Sequence, residues 1–188
     1  MHNDPRRDAR TQMSIARMHG VQPSIPWGTP GMDLSRLNLT YATFQGSNLR
    51  GAHLAGTNLA GADLANIDLS GANLTETNLT AANLTGANLS GANLQSASLR
   101  DSWLRDTNFT NANLDDAVFG GSGVTPEQLR SARGLHPATW FMLDIPEETK
   151  AQLLPQDEDT RRLLYNLLDD WEGTLGEAIA TAETLRAA

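Results

Sequence analysis

The sequence contains no cysteine, which excludes disulfide bonds, thiol nucleophiles and zinc sites with cysteine ligands. Its four histidines lie far apart, and none has a second histidine or a carboxylate at the spacing of a helical metal site. No Walker loop, paired nucleophile and base, or buried carboxylate pair is recognisable in the sequence. We therefore expect a protein that is not an enzyme, with no catalytic residues, no metal and no cofactor.

Long apolar runs are also missing, because nowhere do about 18 apolar residues follow one another, as a membrane span requires. The N-terminal residues carry charges but lack the apolar stretch of a signal peptide. Lysine and arginine total 14 against 22 aspartates and glutamates, so the formal charge is −8. Since phosphate neutralisation needs clustered basic residues, this balance argues against direct nucleic-acid binding. We expect a cytoplasmic protein without membrane contact.

The pattern that is present is a repeat of five residues. From Leu34 to Phe119 every fifth residue is leucine or phenylalanine, over eighteen successive positions. The residue two before each centre is uncharged and most often alanine, and the residue between them is usually asparagine. A period of five fits neither a helix nor a strand, so the chain must turn every five residues.

Short extended segments joined by corners would form a solenoid whose coils stack about 4.8 Å apart. The large central residues and the small residues two before them would then point inward and form the core. Aromatic residues make up only 5% of the chain, so this core must be mainly leucine and alanine. The central part of the predicted core is Leu54, Leu59, Leu64, Leu69, Leu74, Leu79, Leu84 and Leu89.

The repeated motif A-N-L-x-x across residues 32–121 resembles the pentapeptide repeat family. The resemblance implies an all-β solenoid, a right-handed quadrilateral β-helix with four repeats per coil and about 4.5 coils. Some bacterial members are similar to duplex DNA in width and charge, bind DNA gyrase or topoisomerase IV and protect them from quinolones or other poisons. Those proteins dimerise through C-terminal helices, which makes antibiotic resistance and a homodimer possibilities for this chain.

Four segments are expected along the chain. Residues 1–31 form an N-terminal arm and cap, either docked over the first coil or free to bind a partner, and residues 32–121 form the β-helix. Residues 122–155 form a C-terminal cap with short helices, because Thr125, Pro126 and Gln128 match a helix start. The GGSG stretch at 120–123 is expected to break the repeat.

The last segment, residues 156–188, is an amphipathic helix or a helix pair. Its apolar residues Leu164, Leu168, Trp171 and Leu175 are spaced alternately four and three apart, as in a heptad seam. Gly173 weakens a single long helix, so two helices meeting there fit equally well. The seam could pack on the solenoid or form a dimer or partner contact, and both alternatives stay open.

Outward residues twenty apart would share one side of the rod if four repeats make a coil. One side is the most acidic and carries Glu76, Asp115 and Asp116. Trp103 points outward on another side, with Arg100 and Arg105 near it. Because aromatic residues are enriched at interfaces, Trp103 is a partner-contact candidate, unless it packs beneath a C-terminal helix.

The function expected first is a non-catalytic protein-binding scaffold whose partner is unknown. The alternative is a DNA mimic that binds DNA gyrase or topoisomerase IV and protects it from poisons. The net charge is −4 for residues 32–121 and −6 for residues 122–188. Since duplex DNA presents one charge per about 1.7 Å, a mimic should place its charge along the rod. Most of the negative charge lies outside the rod, so mimicry ranks second.

Overall fold

The computed structural model describes residues 30–135, 145–168 and 171–187. Residues 1–29 lie outside the described part, so the expected N-terminal arm and cap fall almost wholly outside it. The described chain consists of a solenoid followed by short helices. No described helix has both the length and the apolar character that crossing a membrane requires.

Parallel β-bridges join outward residues that are twenty apart in the sequence. Four columns result, which we number by their first residue: side 1 begins at Asp33, side 2 at Asn38, side 3 at Thr43 and side 4 at Asn48. Each side contributes one bridged residue per coil rather than a longer strand. A coil therefore takes four repeats.

The repeat residues divide cleanly between inside and outside. The eight leucines from Leu54 to Leu89 are each 0–1% exposed and lie inside the coils. The residue two before each centre is also buried in the middle of the rod, where it is alanine or threonine except for Ile67. Apolar burial of this kind contributes about 1.5–3 kcal/mol per leucine, and it holds the rod together.

The asparagine that precedes the central leucine or phenylalanine of a repeat has a local structural role. The Oδ1 atom of Asn73 accepts a hydrogen bond from the Thr75 amide at 3.1 Å, and Asn78 does the same for Thr80 at 3.0 Å. Such side-chain turns explain why asparagine and aspartate recur at this position. In addition, Nδ2 of Asn78 donates to Oδ1 of Asn58 in the preceding coil at 3.2 Å. The asparagines thus shape each corner and also link the coils.

The core register continues beyond Phe119, so the expected break of the register at residues 120–123 is wrong, although no β-bridge joins Trp103 to Gly123. Val124 and Leu129 occupy the next two central positions and are buried. Arg133 pairs with Asn113, twenty residues earlier, so the last turn keeps the register. Helix α1, Pro126–Arg130, replaces the extended segment on the fourth side of this turn. Its capping box between Thr125 and Gln128 fixes where the helix begins.

Within residues 145–168 and 171–187 there are three further helices: α2 is Glu147–Leu153, α3 is Glu158–Leu168 and α4 is Leu175–Ala187. The final segment is therefore a helix pair, with α3 and α4 packed against each other and α4 against α1. A second capping box at Thr174 and Glu177 starts α4. The Leu175 amide donates to the Ala132 carbonyl at 3.1 Å, which joins α4 to the last turn of the solenoid.

The apolar residues of the heptad seam pack within the chain. Leu164 and Leu175 are almost fully buried, Leu168 is buried, and Trp171 is partly buried against the same core. Of the two alternatives, the structure shows packing on the solenoid. These four residues are therefore poor candidates for a dimer or partner contact, because a partner could reach the leucines only if the helix pair opened.

Candidate protein-binding surface

Trp103 lies on side 3, at the position that asparagine occupies in most repeats. Its backbone is held by the preceding coil: its amide donates to the Ala82 carbonyl and its carbonyl accepts from the Leu84 amide, each at 2.9 Å. The side chain is 66% exposed. The alternative that Trp103 packs beneath a C-terminal helix is therefore wrong, because none of the helices in the described residues covers it.

Tyr41 is a second exposed aromatic residue beside side 3, at the corner that leads to Thr43. It is 68% exposed, and its ring lies against the backbone of Gly61 in the next coil. Side 3 rises by three coil steps from Thr43 to Trp103, a distance of about 14 Å at strand spacing. Sequence reasoning placed Tyr41 on the surface without selecting it as a contact. The available signal was a bulky residue at a corner where glycine is most common.

Two arginines flank Trp103 along the chain. Arg105 is two residues further on side 3 and is exposed, with its Nε atom 3.8 Å from the Asp106 carboxylate. Arg100 belongs to side 2 and is also exposed. We call Tyr41, Arg100, Trp103 and Arg105 the aromatic surface. It offers two flat apolar rings and two cationic groups on a rigid base.

The acidic candidates lie on the opposite side of the rod. Glu76 and Asp116 occupy corner positions at the end of side 1, and both have positive φ. Asp115 is beside them and accepts a hydrogen bond from Gln95 Nε2 at 3.4 Å. It also borders a cleft of about 190 Å³ with Trp171 and Leu175. The six predicted contact residues therefore divide between two surfaces and do not form one site.

Titratable groups on the rod are few. Partial burial of Asp68 disfavours its ionised form. Hydrogen bonds from the Ser70 side chain and amide, the charge of Arg50 and a hydrogen bond from Asn88 together favour the ionised form more strongly. The pKa of the Asp68 carboxyl is therefore below its ordinary value. Within residues 30–135, 145–168 and 171–187, no group of three histidine, cysteine, aspartate or glutamate side chains is arranged to hold a metal ion.

Residues 30–56, 52–91 and 92–122 match the model named pentapeptide repeats, with eight copies. The chain belongs to the pentapeptide repeat family. Its repeat region is accordingly a right-handed β-helix solenoid, as the resemblance implied. No match was found among curated proteins.

Several solved structures are similar to this pentapeptide repeat protein. Rfr23 from the cyanobacterium Cyanothece 51142 is 38% identical over 48% of this chain and 58% of its own, with a TM-score of 0.39. HetL, involved in heterocyst differentiation regulation in Nostoc sp. strain PCC 7120, is 25% identical over 60% of both chains, with a TM-score of 0.29.

A third similar structure is trypsin-treated QnrB1, a plasmid-mediated fluoroquinolone resistance protein. It is 18% identical over 61% of this chain and 57% of its own, with a TM-score of 0.49. The aligned part of this chain thus spans 58% and 60% of the lengths of Rfr23 and HetL. The roles named for HetL and QnrB1 are properties of those proteins.

Proposed function

We propose that this pentapeptide repeat protein is a non-catalytic protein-binding scaffold that contacts its partner through the aromatic surface. The observation that carries the proposal is Trp103, an exposed indole on a rod whose other outward side chains are mostly small and polar. Tryptophan, tyrosine and arginine are the residues most enriched at the energetic centres of protein interfaces. All three occur on the aromatic surface.

The rigidity of the rod supports this role. Trp103 is bonded to the preceding coil by two backbone hydrogen bonds of 2.9 Å, and the amides of Leu99 and Asp101 join the same coil to the following one at 2.7 Å. A partner that binds there does not have to order the backbone first, so less conformational entropy is lost on association. The buried core beneath, with Leu84 and Leu104 almost fully covered, keeps the base of the indole in place.

The DNA-mimic alternative stays a prediction. Of the acidic candidates on side 1, Asp115 and Asp116 are near the C-terminal end of the rod and Glu76 is in its middle. The aromatic surface carries two arginines that a DNA mimic would not need. Salt dependence separates the two functions, because a contact made by mimicry of phosphates weakens steeply as salt rises. A contact centred on buried aromatic rings is much less sensitive to salt.

Site-specific photo-crosslinking tests the scaffold proposal. A photoreactive phenylalanine analogue is placed at Trp103 or at Tyr41, with the exposed Asn108 on side 4 as the matched control. We expect the same protein to be captured from positions 103 and 41 and to be absent from position 108. Capture of that protein from all three positions, or from position 108 alone, would contradict the proposed surface.

A gyrase supercoiling assay with a quinolone present, titrated with protein over a range of salt, tests the alternative. Under the scaffold proposal with another partner, gyrase activity and poisoning are unchanged at micromolar protein. Protection that fades with increasing salt, and that is unaffected by Trp103→Ser, would favour electrostatic mimicry and displace the aromatic surface as the contact.

A further inference from the structure

The backbone ladder of side 3 is broken at the step that follows Trp103. At each of the three earlier steps of this side, three backbone hydrogen bonds of 2.8–2.9 Å join one coil to the next. At the last step, the carbonyl of Ser102 and the amides of Leu104 and Asp106 make none of these bonds with residues 123–125. Within the described part of the chain, these three groups have no backbone partner.

The start of helix α1 accounts for the break. In a regular coil the Thr125 carbonyl would accept the Asp106 amide, but here it accepts the Leu129 amide at 3.2 Å. Side 2 is intact at the same step, since the amides of Leu99 and Asp101 each donate to the last turn at 2.7 Å. The last turn is therefore joined regularly to the rod on side 2 and loosely on side 3.

The surface beside the break is open. Gly123 takes the outward position next to Trp103, and a Cβ placed there would meet no atom within 4 Å. The hydroxyl of Ser122 is buried without a hydrogen-bond partner, which indicates that the last turn is incompletely packed at this point. The exposed indole of Trp103 thus borders a sheet edge that no side chain of Gly123 covers.

The last turn must move for a ligand to use this edge. Leu104 is only 2% exposed, so its amide becomes accessible when residues 121–125 move away from the coil of Trp103. In the described structure no backbone hydrogen bond joins residues 121–125 to that coil. Apolar packing of Val124, which is 5% exposed, is the main contact that opposes the movement. Segments held by few contacts open locally at a low cost in free energy.

We propose that an extended segment of the protein partner pairs with this edge, accepting from the Leu104 and Asp106 amides and donating to the Ser102 carbonyl. Such a partner presupposes the protein-binding scaffold proposed above. The segment runs parallel to the edge, as neighbouring coils do. An apolar side chain of the segment packs on Trp103, and an acidic residue two positions later faces the exposed Arg105.

Amide hydrogen exchange of the full chain tests the break itself. Leu99 and Asp101 are the matched controls, because they hold the same two repeat positions on side 2 and donate hydrogen bonds of 2.7 Å. Relative to their intrinsic rates, we expect the Leu104 amide to exchange at least about tenfold faster than that of Leu99, and Asp106 at least about tenfold faster than Asp101. Equal protection within both pairs would overturn the inference and leave the aromatic surface of the proposed function untouched.

Peptides selected on the full chain from a random display library test the pairing. We expect the selected peptides to slow exchange of the Leu104 and Asp106 amides at least about tenfold, with Leu99 and Asp101 unchanged. N-methylation of the peptide residue that donates to Ser102 should weaken binding about tenfold, because it removes one hydrogen bond and retains the side chains. Methylation of the next peptide residue, whose amide points away from the edge, is the control. A selection that gives no peptide protecting both amides, or equal affinity of the two methylated peptides, would contradict the pairing.

The variant Trp103→Ser separates this inference from the proposed function. It should weaken the selected peptides at least about tenfold, because the indole is lost as a contact. Exchange of the Leu104 amide in the free variant should stay at the wild-type rate, since the break depends on α1. Unchanged affinity of the protecting peptides for Trp103→Ser would contradict the aromatic surface, whereas the backbone pairing would stand.

Discussion

The replacement of Gln128 by glutamate is the sharpest test of how the solenoid ends. Oε1 of Gln128 accepts the Thr125 amide at 2.9 Å, which completes the capping box of α1. Nε2 donates to two carbonyls of the preceding turn, Leu104 O at 2.8 Å and Thr107 O at 3.0 Å. The Gln128 side chain therefore caps the start of α1. It also donates to carbonyls of the preceding turn, because α1 takes the place of the extended segment on that side.

Glutamate can keep the capping box but cannot donate to the two carbonyls. Each lost hydrogen bond is worth about 0.5–1.5 kcal/mol net, so Gln128→Glu should destabilise by about 2 kcal/mol before charge is counted. The carboxylate would also face two carbonyl oxygens, which adds to the loss. For a chain of this size, about 2 kcal/mol corresponds to a decrease in Tm of roughly 4–8 °C.

Thermal unfolding followed by circular dichroism measures the effect, with Gln45→Glu as the control because Gln45 is exposed on the first coil. The introduced carboxyl should have a raised pKa, since the carbonyls disfavour its charged form. The deficit against wild type is then fully present above that pKa and shrinks as the pH falls through it. A Tm for Gln128→Glu equal to that of Gln45→Glu at pH 7 would refute the role assigned to Nε2.

Four further outcomes follow from the structure. Leu74→Asp should prevent folding, because it buries an unpaired charge inside the coil, and a soluble variant with an unchanged circular dichroism spectrum would show that Leu74 does not point inward. Gly134→Ala should destabilise more than Gly91→Ala: both have positive φ, but only at Gly134 would a Cβ meet backbone, 2.9 Å from the Asp115 amide nitrogen. Equal changes in urea midpoint for the two variants would contradict this. Hydrogen bonding to Asp157 from Thr160, with Arg186 nearby, holds the pKa of that carboxyl below its ordinary value, as for Asp68. The two ionised carboxylates therefore stabilise the folded state fully above the ordinary aspartate pKa of about 4, and this stabilisation is lost as the pH falls through their lower folded pKa values. Asp157→Asn should accordingly reduce the loss of unfolding free energy between neutral and acidic pH, measured by urea unfolding. Trp103→Ser should change Tm by no more than about 1 °C, because the side chain is exposed, and a larger decrease would indicate a structural role.

The aromatic surface could be foreseen only in part. Trp103 stands out in the sequence because a bulky residue replaces asparagine in a regular repeat. Whether it was covered by a C-terminal helix depended on where α3 and α4 pack, and spacing alone did not specify that. Tyr41 was harder to select, because its place beside side 3 follows only when the corner between two columns is built.

The pentapeptide period by itself determined the solenoid, its core and its outward columns. A leucine or phenylalanine every five residues can be buried only if the chain turns at the same interval. The sequence pattern by itself therefore requires a coiled chain. The end of the solenoid was decided by tertiary contacts. Val124 and Leu129 continue the core through residues that the sequence predicts as a break, because α1 fits one side of the coil and Gln128 pairs with the turn before it. The heptad seam likewise indicated an amphipathic surface, but only the packing of α4 on Ala132 and the last turn decided that the surface is buried within the chain.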